Sequence, residues 1–533
     1  MKLVSIAIIA GLIMLAPVSP IQAQQDDIFI DQELYAFDAS TAATDIAVPQ
    51  LTPEEVLTFL GLIHANQLAF LDFYRKTYNP QTRNLLDIPL VAPFCPHESE
   101  WRCNIFYNQT DKLFLAFDDC SGCDSTINSY LTLSDHADFI TQLIQELSDL
   151  IPDDKKGITI FPQVIALFQG TYVQERRAGG MFQWWQRWHS LVFGAQLPLL
   201  YQERNINLPV TSKEALNHIL QEAQSPSEQQ STYKQHVLFD KVGIGDLRLT
   251  ASWHPVEMDR IRICTGIDCT VPTDTAFATG LIGGNIATNV QPFTPDLTLL
   301  LSEAIAGATG PATQMILDEG INVVDQLGAL LLNNSLGYER QWSFGFFIQP
   351  EFSPIPQLNI ITRARVACII GRTVCRQFLQ CKNPADFADA KFSPDLPTAQ
   401  ATAAIQFLET QLHYNYFPYA TRARLNNRCL AELTCMPIWQ FNDNWSLVTG
   451  YDFWVLQRDT LSLNTMVPTL QYPLIPQSAE RPTAWQQKLF GNLQYTSYHP
   501  SCDIILNMGA DATFASHGIG KDLSIVLGFA VAY

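Results

Sequence analysis

The clearest pattern in the chain is a two-residue alternation that dominates its C-terminal two-thirds. In the last segment Leu523, Ile525, Leu527, Phe529, Val531 and Tyr533 alternate with Asp522, Ser524, Val526, Gly528, Ala530 and Ala532. A period of two places one set on each face of a β-strand. The segment before it alternates Ile504, Leu506, Met508, Ala510, Ala512 and Phe514 with Asp503, Ile505, Asn507, Gly509, Asp511 and Thr513, and His517-Gly518 supplies a turn between the two. The same rhythm runs through 246–254, 260–268, 341–349, 358–366 and 445–455, with His254-Pro255 read as the break between the first two of these. Weaker segments at 160–174, 188–203, 410–424, 427–440 and 484–498 bring the expected total to about twelve strands.

The region before residue 156 follows a different rhythm. Thr52-Pro-Glu-Glu55 has the composition of a helix start, and Val56, Phe59, Leu60, Ile63, Leu68 and Leu71 follow at helical spacing. A second helix is expected from Ser134-Asp135 through Leu150, and a short strand at Leu113–Phe117. Lys2, the apolar run Leu3–Leu15 and the small residue Ala23 ahead of Gln24-Gln25-Asp26-Asp27 form a signal-peptide pattern. The expected layout is a signal peptide at 1–23, an N-terminal periplasmic or plug segment at 24–155, and a barrel at 156–533 with insertions at 205–235, 274–338 and 383–410. Two of these insertions, 274–338 and 383–410, contain helical stretches.

No later segment offers about 18 uninterrupted apolar residues for a spanning helix. An exported chain with strands that are greasy on one face has one other way to satisfy its backbone in lipid, which is a closed barrel. The expected fold is therefore an all-β membrane protein: a transmembrane antiparallel β-barrel in a bacterial outer membrane, with outer-membrane lipid as partner. A soluble β-sandwich also alternates. The Gly, Ala and Ser content of the second face and the aromatic residues near strand ends (Trp342, Trp445, Trp485, Tyr495, Tyr498) favour the barrel.

Composition narrows function further. A net charge of −20 argues against nucleic acid as a partner. No nucleophile elbow or His-Glu-x-x-His motif is present, so no catalytic residue, metal ligand or cofactor is assigned. If the large apolar residues meet lipid, the opposite set faces the lumen. That set includes Arg248, Arg260, Arg262, Arg363 and Arg365, and with them Asp246, Asp268, Asp452 and Asp511. Opposed ladders of this kind either set a transverse field in an open pore or fill the lumen with salt bridges.

Twelve cysteines in an exported chain favour disulfides. Cys95 with Cys103 and Cys120 with Cys123 are the local candidates. Cys429 and Cys435 share one strand face about 20 Å apart and do not pair with each other, while Cys264 and Cys269 point to opposite faces.

The hairpin Gly243-Ile-Gly-Asp-Leu-Arg-Leu-Thr-Ala-Ser-Trp253 with Ile261–Thr273, closing on Val271-Pro272-Thr273, resembles one found in barrels of the long-chain fatty-acid transporter and aromatic-degradation outer-membrane family. The final aromatic, Tyr533, resembles the C-terminal signal read by the barrel-insertion machinery. The resemblance implies uptake of small hydrophobic solutes through a barrel with an N-terminal plug. The high cysteine content, the helical insertions and the longer N-terminal segment depart from that family. The cysteines are closer in character to disulfide-linked envelope porins of chlamydia-like bacteria. Three functions are therefore carried forward: a channel or transporter for small solutes, a cysteine-rich structural or adhesive envelope protein, and a barrel-borne hydrolase.

Overall fold

The computed structural model describes residues 82–89, 99–111, 172–207, 238–281, 335–378, 419–463 and 479–533, with isolated positions at 210, 214, 474 and 476. The strands in chain order are β1 (Ser99–Asp111), β2 (Tyr172–Trp188), β3 (Leu191–Asn207), β4 (Leu238–Ile244), β5 (Leu247–Glu257), β6 (Ile261–Val271), β7 (Thr275–Thr279), β8 (Ser343–Ile355) and β9 (Leu358–Ile369). They continue as β10 (Thr373–Phe378), β11 (Tyr419–Leu425), β12 (Arg428–Gln440), β13 (Trp445–Leu456), β14 (Leu461–Ser462), β15 (Ala484–His499), β16 (Cys502–His517) and β17 (Lys521–Ala532).

Twelve of these strands close into an antiparallel barrel. The wall runs β1-β2-β3-β5-β6-β8-β9-β12-β13-β15-β16-β17, and β17 pairs back onto β1 from Glu100↔Ala532 to Asp111↔Lys521. Each wall strand pairs with the next wall strand in sequence, which is the up-and-down arrangement that leaves no open edge. The seam is sealed by the Tyr533 amide, which donates to the Ser99 carbonyl at 2.8 Å. The turns after β2, β5, β8, β12 and β15 are short and lie at one end. The long connections 112–171, 208–237, 280–342 and 379–418 leave from the other.

Beyond the barrel's long-loop end some strands resume after a break. β4 continues the line of β5 along β3, and β7 pairs with β4. β10, β11 and β14 form a separate three-stranded sheet over a cluster of Phe378, Ala423, Leu425, Leu461 and Ala479.

The two faces of the wall differ in kind. Along β8, Phe344, Phe346, Ile348 and Phe352 are exposed while Ser343, Gly345, Phe347, Gln349 and Glu351 are buried. Along β17, Leu523, Ile525, Leu527 and Phe529 are exposed and Asp522, Ser524 and Val526 are buried. A chain in water does not leave such a face bare, whereas lipid covers it. At a rise of about 3.4 Å and a tilt of about 40°, Phe344 to Phe352 spans about 20 Å of depth, close to the height of a hydrocarbon core. Trp101, Trp188, Trp439, Trp445, Tyr498 and Tyr533 are exposed near the short-turn end, where an interfacial girdle belongs. No helix among the described residues is long and apolar enough to cross a membrane.

Several expectations are corrected. The wall begins before residue 156, because β1 lies inside the stretch assigned to the N-terminal segment and supplies a full wall strand. Of the segment read at 160–174 only 172–174 lies among the described residues, in β2, and the segment read at 188–203 belongs to the same longer hairpin. β2 runs on to Trp188, and β3 extends to Asn207 inside the expected insertion at 205–235. The insertion expected at 274–338 opens with a strand, β7. His254-Pro255 is not a turn. β5 continues to Glu257, and the register shifts between Trp253 and Val256, a bulge in which a residue without an N–H is tolerated. The expected helices at 52–71, 134–150, 297–332 and 383–410, the strand at 113–117 and the signal peptide all lie outside the described residues.

Candidate functional site: the occupied lumen

The lumen is built in three layers, drawn mostly from the inward positions of the wall strands. The middle layer is charged: Arg177 on β2, Arg248 on β5, Asp268 on β6, Arg365 on β9, Glu432 on β12, Asp452 on β13, Lys488 on β15, Asp511 on β16 and Asp522 on β17. Shifting a few residues toward the short-turn end gives an apolar cluster on part of the wall, Phe106, Met181, Ile361, Met436, Val448, Phe490 and Val526, while β5 and β8 present Ser252 and Glu351 there. Shifting toward the long loops gives a second apolar layer, Ile369, Leu430, Trp454 and Leu456 from the strands with Tyr338 and Ile519 from outside them.

A short segment that belongs to no strand sits in the charged layer. Arg83, Asn84, Leu85, Leu86, Asp87 and Ile88 are all buried, and Leu85–Asp87 form one turn of 3-10 helix. Asn84 caps this turn by accepting a hydrogen bond from the Leu86 amide at 3.0 Å. Leu85, Leu86 and Ile88 pack against the apolar cluster.

The charges of this segment complement those of the wall. Glu432 and Asp452 are adjacent wall carboxylates, and Arg83 comes between them, donating to Asp452 at 2.6 Å and lying 3.8 Å from Glu432. Its guanidinium also lies over the Trp454 ring, 5.5 Å from the centroid. Arg248 and Arg365 are wall cations, and Asp87 accepts from both as well as from the Tyr338 hydroxyl. The segment's backbone is held too. Arg177 donates to the Arg83 carbonyl at 2.7 Å and Arg248 to the Leu86 carbonyl at 2.6 Å. A buried charge is tolerated when it is paired and its remaining donors and acceptors are used. Without residues 83–87, Asp452 would lose the arginine it pairs with and Arg248 would keep only Asp268, 3.9 Å away, while Arg365 would still hold Asp268 and Glu432.

The rest of the layer is bonded wall to wall. Arg365 grips Asp268 through two bonds of 2.8 and 2.7 Å and reaches Glu432 at 3.1 Å. Gly345 makes room for this pair, since a Cβ there would stand 2.4 Å from an Asp268 carboxylate oxygen. Lys488, fully buried, donates to Asp511 at 2.8 Å and Asp522 at 2.7 Å. Asn108 joins this group to Arg177.

Arg248, Arg365, Asp268, Asp452 and Asp511, expected on the inward face, are all buried in this charged layer. Asp246 is buried at the β4–β5 break, where it accepts from the Tyr338 amide at 2.6 Å and the Asn84 side chain at 3.4 Å. Arg363 lies over the Phe347 ring at 4.4 Å. Arg262 is half-buried at the short-turn mouth, 3.4 Å from Glu257 and 3.7 Å from Glu351. Arg260 is a correction. It lies exposed in the turn between β5 and β6, where strand alternation no longer sets the direction of a side chain. Arg83, Asp87, Arg177, Glu432 and Lys488 were not anticipated. Lys488, the one of these on β15, follows from that strand's period of two, but Gln487 and Gly491 on its lipid face blur the signal. Nothing in the local sequence at 83–88 marks it as a lumen segment.

The disulfide candidates are not supported among the described residues. Cys103 is a thiol on β1, and no disulfide joins the described cysteines. Cys95, Cys120 and Cys123 lie outside the described residues. Among the described residues no group of three or more His, Cys, Asp or Glu is placed to hold a metal ion.

Taken together, fold and site define a closed, lipid-facing barrel with an occupied lumen. No family model matches the sequence, and no curated protein matches it. Solved structures similar to it include an outer membrane channel from Pseudomonas putida F1, at 8% identity over 84% of this chain and 99% of that one, with a TM-score of 0.37. Others are the toluene transporter TbuX of Ralstonia pickettii (9% identity, 82% and 90% covered, TM-score 0.30) and the toluene transporter TodX of Pseudomonas putida (7% identity, 86% and 96% covered, TM-score 0.29).

Proposed function

We propose that this chain is an outer-membrane passage for small apolar solutes, not an enzyme, and that residues 83–88 close it. The observation that carries this reading is the charge complementarity between Arg83 and Asp87 and the wall. A barrel meant only as a scaffold fills its lumen from its own strands. Here the middle of the lumen is filled by a segment that forms no ladder bonds, so its removal leaves the wall hydrogen-bonded. The solute class follows from the layers on either side. The apolar cluster of Phe106, Met181, Ile361, Met436, Val448 and Phe490 along part of the wall favours uncharged aromatic or aliphatic molecules over ions and sugars. The C-terminal strand ending at Tyr533 suits delivery to the barrel-insertion machinery, since it supplies both an exposed apolar face and the closing seam. The test is uptake by liposomes reconstituted with the full chain. An uncharged aromatic dye is expected to enter faster than into empty liposomes, and a disaccharide is not. Equal entry of both solutes, or of neither, would contradict the assignment.

A further inference from the structure

Cys368 on β9 and Cys429 on β12 stand directly opposite each other in the register of these two strands. Both side chains lie on the lipid face, since Val366 is exposed while Arg365 and Ala367 are buried, and Cys429 is exposed while Arg428 and Leu430 are buried. They lie near the long-loop end of the wall, where β9 ends at Ile369 and β12 begins at Arg428.

Opposed residues in an antiparallel ladder are of two kinds. A hydrogen-bonded pair holds its Cα atoms about 5.5 Å apart, and a non-hydrogen-bonded pair about 4.5 Å apart with the side chains closer. Three backbone bonds fix which kind this is. The Gln457 amide donates to the Cys429 carbonyl at 2.9 Å, so the backbone groups of Cys429 turn toward β13 and away from β9. The Ile370 amide donates to the Trp342 carbonyl at 2.8 Å, so Cys368, two residues along, turns its backbone toward β8 and away from β12. The Gln440 amide donates to the Gln357 carbonyl at 2.8 Å, which places the hydrogen-bonded pairs of this ladder at even-numbered positions of β12. Pro437, opposite Ile360, falls in the other series, so its missing N–H faces β13 and breaks no bond to β9. Cys368 and Cys429 are thus a close, non-hydrogen-bonded pair, whose Cα spacing falls within the range that a disulfide spans.

The other described cysteines have different residues opposite them. Cys435 faces Thr362, Cys103 faces Phe529 and Phe182, Cys375 faces Arg422, and Cys502 faces His499. Cys269 is separated from Cys368 by Phe344 on the intervening strand. Among the described residues, this register brings cysteine against cysteine at one position.

We propose that Cys368 and Cys429, both thiols in this structure, are oxidised to a cross-strand disulfide in the exported protein, pinning β9 to β12 and closing the stretch 369–428 that carries β10 and β11. The two thiols give up two protons and two electrons to a protein disulfide of a thiol oxidase in the compartment the chain crosses, which is left as a dithiol. A mixed disulfide on one of the two sulfurs is the intermediate, and the second sulfur displaces the oxidant's thiolate. The proposal is independent of what the barrel transports.

The test is differential alkylation of the full chain, extracted from envelopes in mild detergent. Thiols are blocked with iodoacetamide under non-reducing denaturation, then reduced and labelled with N-ethylmaleimide, and peptides are read by mass spectrometry. Cys368 and Cys429 are both expected to carry N-ethylmaleimide in near-complete and equal measure, and the unreduced digest is expected to contain their two peptides linked. In Cys429→Ser, Cys368 is expected to move almost wholly to the iodoacetamide label, and in Cys368→Ser the reverse. Heat-modifiable migration of each variant confirms that its barrel is folded, and the linked peptide in the unaltered chain decides the matter if a variant fails to fold. Iodoacetamide on both residues of the unaltered chain, or a linked peptide joining either one to a different cysteine, would overturn the proposal.

Discussion

The two faces of the same wall strands obey different rules. The outer face is uniform: Phe344, Phe346 and Ile348 on β8, Leu506 and Met508 on β16, and Ile525 and Leu527 on β17 are interchangeable large apolar groups in one solvent, lipid. The inner face is particular. Arg365 has named partners in Asp268, Glu432 and Asp87, and Lys488 in Asp511 and Asp522. A face that meets a solvent needs only the right hydrophobicity. A face that meets another part of the molecule needs matched charge and shape.

Three changes sharpen that contrast. The largest effect is expected from Arg365→Met, which leaves Asp268, Glu432 and Asp87 short of a partner. Breaking one side of a buried ion pair costs about 3–5 kcal/mol, and the urea midpoint of the bilayer-folded protein is expected to fall accordingly. An unchanged midpoint would show that the charged layer is wet enough to re-pair. Next comes Leu527→Arg on the outer face, expected to cost about 2–4 kcal/mol in the same assay when the site lies near the bilayer midplane. Little change would mean that this face does not meet hydrocarbon.

The smallest effect is a pH dependence in the sheet of β10, β11 and β14, outside the bilayer band. There burial pushes the Glu339 carboxyl up, but Arg376 and Arg481, paired with it at 2.6 and 2.5 Å, outweigh burial and hold it well below the usual carboxylate range. A carboxylate shifted this way contributes stability that is fully present above its ordinary value of 4.5 and is lost as pH falls through the lower folded value. Hydrogen-exchange protection of β10 and β11, corrected for intrinsic rates, should hold down to about pH 4.5 and decline only in stronger acid. Loss between about pH 7 and 5 would assign this sheet's stability to other groups.

How much could be read in advance follows the same division. The clean strands β8, β16 and β17 are legible because the outward positions from Phe344 to Phe352, Ile504 to Phe514 and Leu523 to Val531 are all apolar, which is all that lipid requires. The β2–β3 hairpin was misplaced because β2 mixes Trp, Gln and Arg on both faces, as Trp184 and Trp185 or Arg176 and Arg177 show. β1 does alternate, with Trp101, Cys103, Ile105 and Tyr107 outward, but it is isolated from the other strands by long connections. Parity alone places Arg248, Arg262, Arg363, Arg365, Asp268, Asp452 and Asp511 on the inward face, while Arg260 sits beyond a strand end. Their partners could not be read, because ion pairs such as Arg83 with Asp452 join positions hundreds of residues apart, and no local pattern encodes which wall residue a lumen segment will meet.

The most direct measurement is entry of the uncharged aromatic dye into reconstituted liposomes, comparing the unaltered chain with the double variant Arg83→Gln, Asp87→Asn. Both substitutions keep a polar side chain and remove the charges that match Asp452, Arg248 and Arg365. A passage closed by residues 83–88 predicts slow entry through the unaltered chain and several-fold faster entry through the variant. Equal rates for both, with each barrel shown to be folded by its heat-modifiable migration, would contradict a closing role for this segment.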